Sequence, residues 1–228
     1  ESDPRLHLRL SIAQAATGDT ISACGRARDV FVANPLLQGA KEALAACRDD
    51  RDVSPVLAEI YGDQKKALLA TDLHGVLAPM LQLEDDQGRG IDLSFESPGK
   101  VTVAVVFATW CAHCQTEIPR VVAFARAVFG DARLRDRVRV VGIRTAVEKD
   151  KEPYDAFATR NGINFPIHHD PVMALALNRF AKAFDIPAAI PITAVLDEGG
   201  HVRFFLPPGD YKDTARELLW IVEYLSSK

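Results

Sequence analysis

The 228-residue sequence is short of several things, and each shortage excludes something. No apolar run approaches the roughly 18 residues of a membrane span. The longest, Val101–Ala108, is strand-sized and includes Thr102. There is no excess of basic charge: the net charge is −4, which argues against a nucleic-acid binder with its usual basic face. Repeats and low-complexity tracts are absent, which excludes solenoids and arrays. The opening residues, Glu1-Ser2-Asp3-Pro4-Arg5, contain no signal peptide and read as a mature or trimmed start, as in an exported protein without its leader. Only four cysteines are present, and they are of two kinds. Cys111 and Cys114 form a close pair, whereas Cys24 and Cys47 lie far apart in another segment. An even count with a second, distant pair points to an oxidising compartment.

What is present centres on residues 103–119. An apolar run reading as a buried strand leads directly into Trp110-Cys111-Ala112-His113-Cys114, and a helical pattern follows. This places the thiols at the first turn of a helix, where unpaired N–H groups and the helix dipole favour negative charge. The thiolate is the reactive form of cysteine, and Cys-x-x-Cys settings at helix starts favour it. Cys111 is expected to be exposed and to attack. Cys114, one turn further in, would resolve the mixed disulfide from a position of high effective concentration.

Three neighbours carry two readings each. His113 opposes the helix dipole, so it either stabilises a Cys111 thiolate and makes the pair more oxidising, or is an exposed imidazole without a role. Glu117, three residues after Cys114 on the same helix face, either exchanges a proton with Cys114 or is an ordinary solvent-facing glutamate. Pro191 opens a strand and is a candidate cis-proline, with Pro187 as competitor. Pro119 is expected to bend or interrupt the helix. A zinc site would need two further ligands; His168 and His169 are available, but there is no second Cys-x-x-Cys. A purely structural disulfide is a poor use of so short a loop, and Thr109-Trp110-Cys111 does not match the Thr-x-x-Cys of peroxide-reducing enzymes.

Before this region, Leu6, Leu8, Leu10 and Ile12 alternate with polar residues and predict a strand or extended arm. Asp19 or Thr20 could cap a helix bearing Ile21, Cys24, Ala27, Val30 and Phe31. Asn34-Pro35 marks a turn, and a second helix is expected over Leu36–Cys47. The midpoint of Cys24 and Cys47 falls on that turn, so in an antiparallel helix hairpin the two side chains would face each other and could form a disulfide; the alternative is two separate buried thiols. A third helix is expected from Ser54-Pro55 to about Met80. From residue 81 the pattern changes to a hairpin around Asp85–Gly90, and then to alternating strands and helices at 101–108, 111–128, 138–143, 154–160, 165–168, 172–184, 192–196, 201–205 and 214–224. Such an order suits a central sheet covered by helices.

Residues 79–228 resemble the thioredoxin superfamily, in particular the TlpA/ResA-like extracytoplasmic thiol-disulfide oxidoreductases. The resemblance is carried by Leu83-Glu84-Asp85, Gly88, Leu93-Ser94, Gly99-Lys100, Phe107–Cys114, Glu117-Ile118-Pro119, Ile190-Pro191-Ile192-Thr193, Leu196-Asp197 and Gly200. It implies an α/β thioredoxin-like fold, a central mixed sheet flanked by helices, with a mainly helical N-terminal extension over 1–78. It implies that Pro191 is the cis-proline facing the thiols, that Ile190 offers its backbone to an extended substrate, that Trp110 helps form the docking surface, and that Glu117 is the buried acid. The implied activity is dithiol–disulfide exchange with protein cysteine pairs in the bacterial periplasm, without a bound cofactor. Apocytochromes or copper-site proteins are the implied partners, with a membrane-side thioredoxin-like donor and no nucleic acid. There are departures. Thioredoxin has a buried aspartate where Val105 stands, so Glu117 must supply the acid. The Ala112-His113 dipeptide is similar to that of the oxidase DsbA, whereas Glu117-Ile118-Pro119 and the N-terminal hairpin favour a reductase. An oxidase or isomerase, and a non-catalytic binding or chaperone module on the same scaffold, are the competing functions.

Overall fold

The computed structural model describes residues 3–47, 54–73, 75–145, 153–170, 174–209 and 212–227. The chain divides into two compact units, Glu1–Leu68 with Asp210–Asp213, and Leu69–Gly209 with Thr214–Lys228.

The described residues of the first unit are mainly helical. Residues expected to form a strand instead form helix α1, Pro4–Ala16. Asp3 caps it by accepting the Arg5 N–H at 2.9 Å, and Pro4 occupies the first turn, where its missing N–H costs nothing. The alternating leucines misled because the inner face of α1 is partly polar. Leu8 and Ser11 are buried, while Leu6, Leu10 and Ile12 are exposed. Ser11 donates to the Ala23 carbonyl at 2.9 Å in α2, Thr20–Ala33. Arg26 of α2 donates to Gln14 of α1 at 3.0 Å. Asp19 caps α2 through the Ser22 N–H, as its sequence position suggests. The expected second helix is shorter: turns occupy Asn34–Gly39, and α3 spans only Ala40–Ala45. Gly39, at φ +86°, supplies the left-handed residue that starts it.

Cys24 and Cys47 are bonded to each other, with Cα atoms 5.4 Å apart. The bond closes a loop across α2 and α3, so its main effect is to restrict the unfolded chain. A Cys24→Ser, Cys47→Ser double variant is expected to lose about 3 kcal/mol. Thermal denaturation with and without reductant measures this; a reductant-insensitive melting temperature in the parent chain would contradict it.

Helix α4, Ser54–Leu69, ends eleven residues before the expected Met80. The chain then extends into β1, Val76–Leu77, which pairs with the strand β8 described below. Residues 69–78 fall in the sheet-bearing unit. Strands β2 (Leu81–Glu84) and β3 (Gly90–Leu93) form the expected hairpin, in register Leu81↔Leu93. Asp85 closes its turn by accepting the N–H groups of Gln87 and Arg89, both at 2.9 Å.

Next come β4 (Val101–Phe107), α5 (Ala112–Gly130), β5 (Val138–Thr145), α6 (Tyr154–Asn161), β6 (Ile167–Asp170), α7 (Leu175–Ala183), β7 (Ile192–Leu196), β8 (His201–Leu206) and α8 (Thr214–Ser226). The expected starts of β6 at Phe165 and of α7 at Val172 shift later in the chain; 172 and 173 lie outside the described residues. The sheet order is β1-β8-β7-β4-β5-β6-β2-β3. It is mixed: β4 runs parallel to β5 and antiparallel to β7. All seven β4 residues are buried, as a central strand covered on both faces requires. Ala104 and Val106 pack with Val141, Ile143, Ala194, Leu196 and Phe180 in one core. Helices α5 and α8 pack against each other, and α8 against β4 and β7. The mixed sheet flanked by helices is the architecture expected from the sequence.

Candidate active site

The central strand β4 aims the chain at the site. Val101–Phe107 fixes the strand in the core, and Ala108–Trp110 turns it into α5. Cys111 is the N-cap of α5, with the extended conformation φ −78°, ψ 118° that a cap residue adopts. Its Sγ accepts the N–H of Cys114 at 3.2 Å. That N–H belongs to the first turn of a 19-residue helix, whose free backbone donors point toward the sulfur. Gln115 secures the turn by donating to the Thr109 carbonyl at 3.2 Å.

Both thiols are free, and both are buried. Cys111 was expected to be exposed, yet it is 6% exposed. The covering group comes from distant sequence: the Cys111 thiol donates to the carbonyl of Ile190 at 3.6 Å. The Ile190–Pro191 peptide is cis, and Pro187 is not part of a cis bond. Ile190 is half-buried and Pro191 buried, while Trp110 is 41% exposed beside Cys111. His113 is exposed in the first turn of α5.

Cys114 is fully buried. Burial, above all, pushes its thiol well above the ordinary range; the hydrogen bond to Cys111 and the negative charge of Glu117 add to this. The pair is thus unequal: Cys114 is fully buried with its thiol pushed up, while Cys111 caps the helix and donates to the Ile190 carbonyl.

Glu117 is 1% exposed, which excludes the solvent-facing alternative. Its Oε2 accepts from Thr214 Oγ1 at 3.2 Å and lies 3.4 Å from Arg120 Nη1. Arg120 also donates to the Gly209 carbonyl. Neither Arg120 nor Thr214 was singled out from the sequence. Arg120, three residues after Glu117 on one helix, carried a signal in its spacing. Thr214, 97 residues away, carried none. Pro119 does not interrupt α5, which runs through it. Val105, in the position of thioredoxin's aspartate, is fully buried in β4.

The two histidines considered for zinc sit on β6, where His169 Nε2 lies 3.0 Å from Asp86 Oδ1. Among the described residues, no group of three or more His, Cys, Asp or Glu side chains is arranged to hold a metal ion. The same residues contain no helix long and apolar enough to cross a membrane.

The AhpC/TSA family profile matches residues 74–205. Curated proteins give no match. Solved structures do. A candidate protein disulfide isomerase from Bacteroides thetaiotaomicron is 22% identical, with 68% of this chain and 90% of that chain covered and a TM-score of 0.51. The thioredoxin domain of a thiol-disulfide oxidoreductase from Bacteroides vulgatus is 18% identical, with coverage of 65% and 96% and a TM-score of 0.50. A thiol:disulfide interchange protein from a Bacteroides species is also 18% identical, with 65% and 90% covered and a TM-score of 0.50. These likenesses establish the fold, and the profile spans more than half the sequence: the chain belongs to the AhpC/TSA family of thioredoxin-like proteins.

Proposed function

We propose that this protein is a thiol-disulfide oxidoreductase that exchanges electrons with cysteine pairs of protein partners outside the cytoplasm, acting as a reductase. The observation that carries the reading is the inequality of the two thiols: Cys111 caps α5 and faces the Ile190 carbonyl, while Cys114 lies fully buried, one helical turn before the buried acid Glu117.

In the reductive direction, Cys111 as thiolate attacks one sulfur of a partner disulfide. The partner's S–S bond breaks, its leaving sulfur takes a proton, and a mixed disulfide forms. Cys114 then gives up its proton and attacks Cys111 Sγ. The Cys111–Cys114 bond forms, and the partner leaves with its second thiol. Two electrons have passed from the enzyme dithiol to the partner disulfide, and no bound cofactor takes part. Trp110, Ile190 and Pro191 would form the surface on which an extended partner segment rests. The names of the Bacteroides relatives, an oxidoreductase and an interchange protein, are in keeping with this chemistry. Partners of this class include apocytochromes and copper-site proteins, with a membrane-side thioredoxin-like protein as electron donor. A bacterial periplasm is the compartment that suits both the exchange and the Cys24–Cys47 bond.

Trapping tests the reading. A Cys114→Ala variant is expected to accumulate a mixed disulfide between Cys111 and a periplasmic partner, identified by mass spectrometry after non-reducing separation. No adduct, or one that survives in a Cys111→Ser background, would count against it. An oxidase or isomerase is the second reading, favoured by His113 between the thiols. A pair potential nearer to about −120 mV than to about −270 mV would select it.

A further inference from the structure

Burial alone disfavours a charged carboxylate at Glu117, which is 1% exposed. Yet two donors converge on its Oε2, Thr214 Oγ1 at 3.2 Å and the Arg120 guanidinium at 3.4 Å. The Arg120 side chain is itself only 14% exposed, so the attraction between the two charges is weakly screened. The same Arg120 Nη1 also donates to the carbonyl of Gly209, ahead of α8, which fixes the guanidinium beside the carboxylate. The groups that act on Glu117 include Arg120 from α5 and Thr214 from α8, which contact its carboxylate, and Cys114 one turn earlier on α5, whose thiol feels its charge. Of these, Arg120 brings the positive charge.

We propose that Arg120 is a positioning residue for the exchange reaction: pinned at the Gly209 carbonyl, it holds Glu117 as an oriented carboxylate ready to take the Cys114 proton in the resolving step. In that step the Cys114 S–H bond breaks and its proton moves to Glu117. The Cys114 sulfur attacks Cys111 Sγ, the bond from Cys111 to the partner's sulfur breaks, and the partner's thiolate leaves. Glu117 then returns the proton to that thiolate. The enzyme dithiol loses two electrons and the partner disulfide gains them. Arg120 acts through Glu117. The proposal rests on the reading of Cys111 and Cys114 as an exchanging pair.

Two readouts test it. The first does not depend on activity: carbon-13 NMR of glutamate carboxyl groups in the reduced protein, with the Glu117 signal assigned by its loss in Glu117→Gln. Arg120→Met should move the titration of that signal to higher pH, and Arg120→Lys should largely restore it. The second is single-turnover resolution of the mixed disulfide as a function of pH. Arg120→Met should be roughly tenfold slower at pH 7 and approach the parent rate as pH rises. In a Glu117→Gln background the same substitution should add nothing. If Arg120→Met does not fold, Arg120→Gln carries the same expectations. An unmoved Glu117 titration overturns the proposal, and so does a rate loss that is equal at all pH values and additive with Glu117→Gln. Absence of exchange in the parent protein would instead overturn the oxidoreductase reading, and the NMR titration would still judge Arg120.

Discussion

Cys111→Ser is expected to lower disulfide exchange by roughly 10³-fold or more while leaving the fold intact. The two halves of this expectation have separate causes. A serine hydroxyl does not ionise near neutral pH and forms no disulfide, so the attacking group is gone. Serine is nevertheless among the best N-cap residues. Its Oγ can accept the Cys114 N–H that Sγ now accepts at 3.2 Å. Helix α5 should therefore keep its cap, and stability should change by no more than about 1 kcal/mol. Insulin-disulfide reduction and thermal denaturation, run on the same preparation, measure both halves. Undiminished reduction would sink the mechanism. Lost reduction together with a collapsed melting temperature would show only that Cys111 supports the fold.

The largest effect on stability is expected far from the thiols in sequence. Asp72→Ala should destabilise the sheet-bearing unit by about 3–5 kcal/mol, the cost of leaving a buried charge without its partner. Asp72 binds Arg203 of β8 through two bonds, Nε to Oδ1 at 2.8 Å and Nη2 to Oδ2 at 2.5 Å. The side chains are 4% and 14% exposed, and Tyr224 Oη of α8 donates to the same carboxylate at 3.3 Å. Asp197, at 3.5 Å from Nη1, remains as a weaker acceptor. Because the pair ties the segment before β1 to β8 and α8, its loss should also loosen that edge of the sheet. Replacing both members together, Asp72→Leu with Arg203→Met, should cost less than Asp72→Ala, since the penalty comes from the unpaired guanidinium. Urea denaturation of the three proteins decides this. A single-variant loss below about 1 kcal/mol would show that the pair behaves as an exposed one.

Sequence patterns were reliable where the physics is local. The β4 run, the hairpin turn at Asp85–Gly90 and the Asp19 cap are each written within a few residues, and each formed as expected. Local signals misled where burial was not apolar. The alternation at Leu6–Ile12 suggested a strand, but Ser11, Gln14 and Arg26 supply polar contacts between α1 and α2 that no hydrophobic period can register. The helix expected to reach Met80 stopped at Leu69, and Asp72 just beyond is held by Arg203, 131 residues later.

The sequence by itself determined that a strand runs into a helix at Cys111, that two thiols share the first turn, and that an acid follows one turn later. Those relations depend on strand and helix geometry, which a short stretch of chain encodes. Only the tertiary structure decided the environment of these groups. It brought the Ile190 carbonyl over Cys111, buried Glu117, and placed Thr214 on its carboxylate. Across separations of 79 and 97 residues, contact depends on where the segment ahead of β7 runs and on how α8 packs against α5. The raised Cys114 thiol is set there, because burial, above all, disfavours its charged form.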